Sequence, residues 1–345
     1  MRCSPFVPIS ASLLALLPFM SLSAAADGLR VSGPQAYANL TIYTVHGGAG
    51  SSVVPLTLEE AIATGQVKVS ETGAVNDLKI ENIGNHEVFV QAGDIVKGGQ
   101  QDRVLSVDLL LPPRSGRVSI AAFCVEPGRW TARGIEDARN FSGSAYAMPS
   151  HDAMLMMQSF ASGYAAASAG SAPDPAKTQQ EIWSSVRTTQ DRLSRSVDPS
   201  VTRSASPSSL QLSLENEKLK QAQAAYIGAL RSVGEASDDI IGYVYAINGK
   251  IKSADVYASN ALFRKMWPKL LAANVTEAIG ENTAAGLPPP LKDVEAFLAG
   301  AQAAPKSERK MNASVQLVTA ASDLALYTES RRTDGSGIHQ KYVAK

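Results

Sequence analysis

The segment 239–259, DIIGYVYAINGKIKSADVYAS, decides the fold class because it holds two runs of β-branched and aromatic residues joined by Asn248-Gly249. Both turn residues tolerate positive φ, and Asn-Gly between such runs is the strongest short-range signal for a β-hairpin. The pattern therefore predicts two antiparallel strands that meet at Asn248 and Gly249. It also predicts that a β-rich core surrounds them.

Short β-branched runs also fill the chain between residues 39 and 125. They are LTIYTVHG, QVKVSE, LKIENIG, HEVFVQAG, RVLSVDLLLP and RVSIAAFCVE, bounded by Gly, Pro, Asn or Asp. Strands at this spacing predict a sandwich or a barrel. One short helix, LTLEEAIATG, is expected to interrupt them, with Thr57 as its N-cap and Glu60 completing a capping box.

Helical patterns dominate the chain after these strands. Apolar residues recur at helical spacing in 177–195 and again in 210–234, which predicts two helices that lie on a sheet. A third helix is expected from Asn260, and Pro268 either kinks it or restarts it. A short helix should follow the three consecutive prolines at 288–290.

Strand patterns return at the end of the chain. NASVQLVTAASDLALYTES predicts two strands and GIHQKYVAK a third. The sequence thus predicts an α+β fold with a mostly antiparallel, β-rich core, sandwich or barrel-like, and helices packed against it. We expect one domain over 27–345 with low-complexity loops near 162–176 and 194–209, and a split near Ser171 is the alternative.

The first 26 residues have the pattern of a secretory signal peptide. Arg2 precedes an apolar run over 13–22, and small residues follow at 23–26. Cleavage after Ala26 would leave a periplasmic or extracellular protein without a stable membrane span. An uncleaved anchor is the alternative, but the run is shorter than the roughly 20 residues of a spanning helix, and Pro18 interrupts it.

Charge and cysteine content bear on two properties, the binding of nucleic acid and the presence of an internal disulfide. Without Arg2 the 32 basic residues become 31, against 32 acidic ones, so no basic field exists to attract a polyanion. Nucleic acid is therefore not expected as a partner. Cys3 leaves with the signal peptide, so Cys124 remains alone and cannot form an internal disulfide.

The histidines argue against common metal sites. The chain has His46, His86, His151 and His339, far apart and outside any HExxH, HxH or cysteine-containing metal spacing. No GxSxG elbow is present for a serine nucleophile. The sequence therefore predicts no metal site and no serine hydrolase, and it names neither a cofactor nor an oligomeric state.

The segment 93–116, GDIVKGGQQDRVLSVDLLLPPRSG, contains the first candidate site. Gly98-Gly99 can adopt positive φ, which turns consecutive N–H groups into one concavity that suits an anion. A carboxylate or phosphate would be held there by backbone donors and Arg103. The alternative is a plain hairpin corner with an Asp102–Arg103 ion pair. The candidate ligand-binding residues of this segment are Lys97, Gly98, Gly99, Gln100, Gln101, Asp102 and Arg103.

A second segment, AAFCVEPGRW, contributes three more candidates at the end of a strand. Glu126 would pair with Arg103 or Arg129, and Trp130 would stack on a planar ligand, or else these residues only pin a loop. Cys124 is read as a buried, inert thiol, since free cysteine behaves as a small hydrophobe.

A third group lies in KSADVYASNALFRKMWPKLL. Asp255 stands near a strand end, and Lys265 and Lys269 are one helical turn apart. We expect Asp255 to steady the start of the following helix and the two lysines to form its solvated face.

Three separated blocks then carry a family resemblance. VQAGDIVKGGQQDRVLSVDLLLPPRSG, FCVEPGRW and GYVYAINGKIKSADVYASNALFRKMWPKLL occur in this order. Together they resemble the bacterial ARPP family, the ARG and rhodanese-phosphatase-superfamily-associated protein domain, from residue 39 to the end of the chain. The family name refers to a genomic association with ADP-ribosylglycohydrolases and phosphatase-like proteins. The resemblance implies a link to nucleotide or ADP-ribose metabolism and assigns no reaction.

Two hypotheses for function remain. The first is an exported binding or structural module. The second is an enzyme or ligand-binding domain for a phosphorylated, ADP-ribose-like or nucleotide-like molecule. The second hypothesis requires Lys97, Arg103, Glu126 and Arg129 to converge on one concave pocket beside a carboxylate of shifted pKa. The first hypothesis predicts dispersed surface pairs.

Overall fold

A computed structural model describes residues 28–48, 53–163, 173–202, 204–282 and 285–345. The predicted signal peptide and part of the first low-complexity loop lie outside the described residues. The fold is α+β with mostly antiparallel sheets, as the sequence predicts.

Seventeen strands form three sheets in the described residues. They are β1 (Arg30–Tyr37), β2 (Leu40–His46), β3 (Leu56–Thr57), β4 (Val67–Glu71), β5 (Asp77–Asn82), β6 (Val88–Val90), β7 (Asp94–Gly98), β8 (Arg103–Leu105), β9 (Leu109–Leu111), β10 (Gly116–Cys124), β11 (Asn140–Ala147), β12 (Ile240–Ile247), β13 (Lys250–Tyr257), β14 (Lys306–Lys310), β15 (Val315–Ala321), β16 (Ala325–Arg332) and β17 (Gly337–Ala344).

The largest sheet has eight strands in the order β1-β2-β12-β13-β17-β16-β15-β14. Its centre contains the predicted hairpin, in which Ile247 pairs with Lys250, and Asn248 and Gly249 have φ of 52° and 76°. The edge strand β14, KSERK, is exposed throughout, and charged side chains of this kind discourage pairing with another chain.

A closed barrel follows the order β10-β5-β4-β11-β7-β8. Its interior is apolar because alternate residues of these strands point inward, as Val69, Ile80 and Ile120 do. A small third sheet, β3-β6-β9, packs beside it. The barrel confirms one of the two architectures that the strand spacing predicts.

Seven α-helices lie in the described residues. They are α1 (Leu58–Ala63), α2 (His151–Ser162), α3 (Pro175–Ser196), α4 (Leu210–Leu214), α5 (Glu217–Leu230), α6 (Asn260–Gly280) and α7 (Leu291–Ala303). The predicted capping box of α1 is present: Glu60 N donates to Thr57 Oγ1, and Thr57 N donates to Glu60 Oε2.

One apolar core joins the barrel, the helices and one face of the large sheet. It contains Phe123 from the barrel, Trp267 from α6 and Tyr243 from β12, and all three are buried. Helix α7 covers the opposite face of the sheet, where Phe297 packs against Tyr342. Among the described helices, none has both the length and the apolar character needed to cross a membrane.

The expectation was wrong for Asp255 and Lys269, whereas Lys265 lies on the exposed face of α6 as expected. Ser259 caps α6, because its Oγ accepts a hydrogen bond from Leu262 N. Asp255 lies within β13 and is fully buried. Lys269 is buried against Asp94, and Lys265 pairs with Glu60, so the two lysines link α6 to the barrel side of the molecule. Pro268 sits inside α6, which continues through it.

Candidate functional site

The double-glycine corner between β7 and β8 folds inward. Gly98 and Gly99 have φ of 114° and 55°, and both are buried. Gly98 N donates to Asp102 Oδ1 at 2.9 Å, and Gln100 N donates to Glu71 Oε1 at 3.0 Å. Gly99 N donates to Asp137 O at 3.0 Å, so all three N–H groups have acceptors within the chain, and an anion-binding concavity stays a prediction.

Arg103 lies beneath this corner and is fully buried. Its guanidinium donates to Gln101 O at 3.1 Å and contacts Glu71 Oε1 at 3.5 Å. The alternative ion pair between Asp102 and Arg103 is not among the contacts of either residue. Asp102 instead receives hydrogen bonds from Arg133 at 3.1 Å and from Ser209 Oγ at 2.8 Å.

Glu126 joins the same network, as the sequence predicts. Arg129 contacts it at 2.6 Å and Arg133 at 3.1 Å, while the two arginines also approach Asp102. Both carboxylates are fully buried. Such a network is stable only while each buried charge keeps its partner.

The network contains one more acid than base. Its arginines are Arg103, Arg129 and Arg133, and its carboxylates are Glu71, Asp102, Glu126 and Glu136. Burial and the nearby Glu126 charge raise the pKa of Asp102. Burial alone would raise the pKa of Glu126 too, but the hydrogen bond from Arg129 holds it below its usual range. A further negative charge would therefore meet an excess of carboxylates.

Two of the predicted residues lie at the margin of this network. Lys97 forms an ion pair with Glu215 at 2.7 Å and is not in contact with the arginines. Trp130 lies over the guanidinium of Arg103, with 5.8 Å between its ring centroid and Arg103 Cζ. Glu126 and Arg129 are thus in contact, whereas Arg103 pairs with Glu71 and Lys97 with Glu215, and a common ligand pocket for these residues stays a prediction.

Two donors in the network remain unused. Arg103 Nε and Arg129 Nε are buried and have no hydrogen-bond partner among the described residues. They are the groups that a small anion would use at this corner. Binding of such an anion stays a prediction.

The network anchors the loop 127–139, which connects β10 to β11 without regular structure. Arg129 donates to Gly99 O at 3.1 Å and to Gly98 O at 3.2 Å, so the base of the loop is tied to the corner. Above these anchors the loop exposes Trp130 by 47% and Ile135 completely. An ordered base therefore carries two exposed apolar side chains.

Cys124 is buried at the end of β10, as predicted. Burial raises the pKa of its thiol to about 11. Because a thiolate is the nucleophilic form of cysteine, this residue is not poised for covalent catalysis.

A second buried cluster joins the barrel side of the molecule to the large sheet. His339 Nδ1 lies 2.8 Å from Asp108 Oδ2, and His339 Nε2 lies 3.1 Å from Asp255 Oδ1. Lys341 Nζ donates to Asp255 Oδ2 at 2.8 Å. Gln91 extends the cluster by donating to Asp255 Oδ1 at 3.3 Å. Two acids and two bases therefore balance in a buried cluster.

Comparison with known families adds one finding. The model of the ARG and Rhodanese-Phosphatase-superfamily-associated Protein domain, ARPP-1, matches residues 28–343. The chain belongs to the ARPP-1 family. No curated protein and no solved structure matches it.

The ARPP-1 domain thus includes both buried clusters, and sequence reasoning missed parts of each. Arg133 and Glu136 lie in a segment without periodicity, so no pattern marks them. Asp108, Asp255 and His339 are separated by long stretches of chain, and only the pairing of β13 with β17 brings the last two together. A charged residue within an apolar strand, such as Asp255 in ADVY, was the one local signal.

Proposed function

We propose that this ARPP-1 protein is an exported binding module that docks a protein partner through the loop 127–139. Export rests on the pattern of residues 1–26 and predicts a purified chain that begins at Asp27, which its intact mass would show. The observation that carries the docking proposal is the exposure of Trp130 and Ile135 on a loop whose arginines are buried beneath it.

Exposed apolar side chains on a loop usually gain little from binding, because binding must first order the loop. Here Arg129 and Arg133 already fix the loop to buried carboxylates. A partner with an apolar pocket would therefore bind Trp130 and Ile135 at a low entropic cost. Tryptophan and arginine are also the residues most enriched at the centres of protein interfaces.

Site-specific photo-crosslinking in the producing cell tests the docking. A photoreactive residue in place of Ile135 should give one discrete adduct with another protein. The matched control places the same residue at Leu324, which is 53% exposed in the turn between β15 and β16. Trp130→Ala should reduce the adduct from position 135 by about tenfold or more, as loss of an interface tryptophan does. Three outcomes would contradict the proposal. They are equal adducts from both positions, no adduct from position 135, and an adduct of two copies of this chain.

A nucleotide-like or phosphorylated ligand at the corner is the second candidate. The unused Nε–H groups of Arg103 and Arg129 favour it, while the excess of carboxylates opposes it. A thermal-shift series with phosphate, nucleotides and ADP-ribose separates the candidates, because a bound ligand raises Tm. Docking through the loop predicts a flat series. Stabilisation that is lost in Trp130→Ala would support the ligand instead.

A further inference from the structure

The segment 286–290, GLPPP, leads into α7 without regular secondary structure. Its Leu287 is 89% exposed, and Pro290 is exposed as well. Leu291, the first residue of α7, adds an apolar side chain that is 36% exposed. Apolar side chains therefore meet solvent at both ends of this short segment.

The chemistry of proline fixes the backbone conformation of the segment. The ring of each proline holds φ at about −65°, and a residue that precedes a proline is restricted to extended values of ψ. Pro288 and Pro289 meet both conditions, because each is a proline and each precedes one. Pro290 has φ of −57° and ψ of 145°. The three prolines therefore form a short polyproline II helix.

The period of this helix decides which side chains point to solvent. A polyproline II helix has about three residues per turn, so residues three apart lie on the same edge. Leu287 and Pro290 share one edge, and both are exposed. Pro289 lies on another edge and is buried. The exposed surface is thus an apolar edge of the pattern Leu-x-x-Pro.

The edge that contains Gly286 and Pro289 fixes the segment to the large sheet. Tyr43 is buried in β2, and its OH donates to Pro289 O. A Cβ atom on Gly286 would collide with Asn248 O in the turn between β12 and β13, so only glycine allows this close approach. Since the segment is already held in place, a partner would not have to order it first.

We propose that the segment 286–291 is a docking ligand for a second protein whose groove is lined by aromatic side chains. Grooves of this kind recognise polyproline II helices, because the helix is preformed and presents apolar side chains along one edge. Leu287 and Pro290 would pack between the aromatic rings. This surface is a different one from the loop 127–139, and the inference goes beyond the docking proposed for that loop.

The backbone conformation, and not apolarity alone, determines the kind of partner. A plain apolar pocket would accept Leu287 in any backbone conformation. An aromatic-lined groove reads the spacing of Leu287 and Pro290, which only the polyproline II backbone provides. A partner of this type must therefore distinguish the three prolines from alanines, even when both leucines are kept.

Site-specific photo-crosslinking of the full chain in the producing cell is the first part of the test. A photoreactive residue in place of Lys292, which is exposed beside the segment, should give one discrete adduct with another protein. Leu287→Ala should reduce this adduct by about tenfold, a ratio that burial of one leucine side chain accounts for. Leu324→Ala is the matched control, because Leu324 is 53% exposed in the turn between β15 and β16, and it should leave the adduct unchanged.

Titration of the purified adduct partner with a synthetic peptide is the second part. The peptide GLPPPLK, residues 286–292, keeps the polyproline II conformation because its own prolines fix it. It contains no aromatic residue, so a change in tryptophan or tyrosine fluorescence reports the partner's own rings. We expect such a change, and we expect binding to be about tenfold weaker or worse when all three prolines of the peptide are replaced by alanine.

Several results would overturn the proposal. In the cell these are no adduct from position 292, an adduct that Leu287→Ala leaves intact, and an adduct of two copies of this chain. With the peptides they are equal binding of the proline and alanine versions, and binding without a change in fluorescence. None of these results depends on Trp130 or Ile135, so failure here would leave the docking through the loop 127–139 standing.

Discussion

Arg133→Met will destabilise the protein by about 3–5 kcal/mol, which is the usual effect of removing one partner from a buried ionic network. Arg133 is 10% exposed and donates to Asp102, Glu126 and Glu136. Methionine keeps much of the volume but leaves Asp102 and Glu126 with Arg129 as their nearest cation. Chemical denaturation of the mature protein measures the free energy of unfolding.

Two further variants make this prediction specific. Arg139→Met changes an exposed arginine of the same loop and should alter stability by less than about 0.5 kcal/mol. Asp102→Asn combined with Arg133→Met removes one of the stranded negative charges. The double variant should therefore be more stable than the sum of the two single changes predicts. Strict additivity would mean that Arg133 does not act through Asp102.

His339→Gln is expected to have the second large effect, and that effect should depend on pH. Burial alone would lower the pKa of His339, but Asp108 and Asp255 on either side raise it to about 9. The imidazole is thus protonated in the folded protein at neutral pH. Because the ordinary pKa of histidine is about 6.5, the shift corresponds to about 3 kcal/mol of stability.

The sign of the pH dependence follows from this raised pKa. The contribution of His339 is fully present below about pH 6.5 and is lost as the pH rises through about 9. The contribution of Asp255 to stability has the opposite pH dependence. Burial would raise its pKa, but Lys341 and His339 lower it to about 2, so its contribution is present above about pH 4 and is lost as the pH falls towards 2. Stability from this cluster should therefore be greatest between about pH 4 and 6.5.

Unfolding free energies at pH 6 and at pH 9.5 check the histidine prediction. The difference between wild type and His339→Gln should be largest at pH 6 and should shrink by about 2–3 kcal/mol at pH 9.5. His86→Gln serves as the control, since His86 is exposed and should show no such difference. A wild-type advantage that is equal at both pH values would contradict a protonated His339 between the two aspartates.

The parts of the fold that the sequence predicts well are those that depend on neighbouring residues. The Asn248-Gly249 hairpin and the capping box of Thr57 and Glu60 are determined within a few residues. The closure of the barrel is not local, since β10 pairs with both β5 and β8. Residue pattern alone could therefore predict a barrel or a sandwich and could not choose between them. The exposed edge strand β14 was missed because KSERK has no apolar alternation.

The candidate site also has one part that neighbouring residues predict and another that depends on distant parts of the chain. The two glycines predict an inward corner, because few other residues adopt positive φ there. They cannot predict which groups accept from its N–H donors, since Glu71 reaches the corner from β4 and Asp137 O from the loop 127–139. The local sequence places Asp255 beside the start of a helix and does not show its partners, because His339 and Lys341 come from β17, much later in the chain.

The central claim is that the buried arginines hold the loop 127–139 in one conformation. Backbone ¹⁵N relaxation of the mature protein tests this most directly, at Trp130 and Ile135. We predict order parameters of about 0.85, equal to those of the barrel strands, and a fall below about 0.6 in Arg133→Met under conditions in which that variant stays folded. Values below about 0.6 for both residues in the wild-type protein would contradict the account.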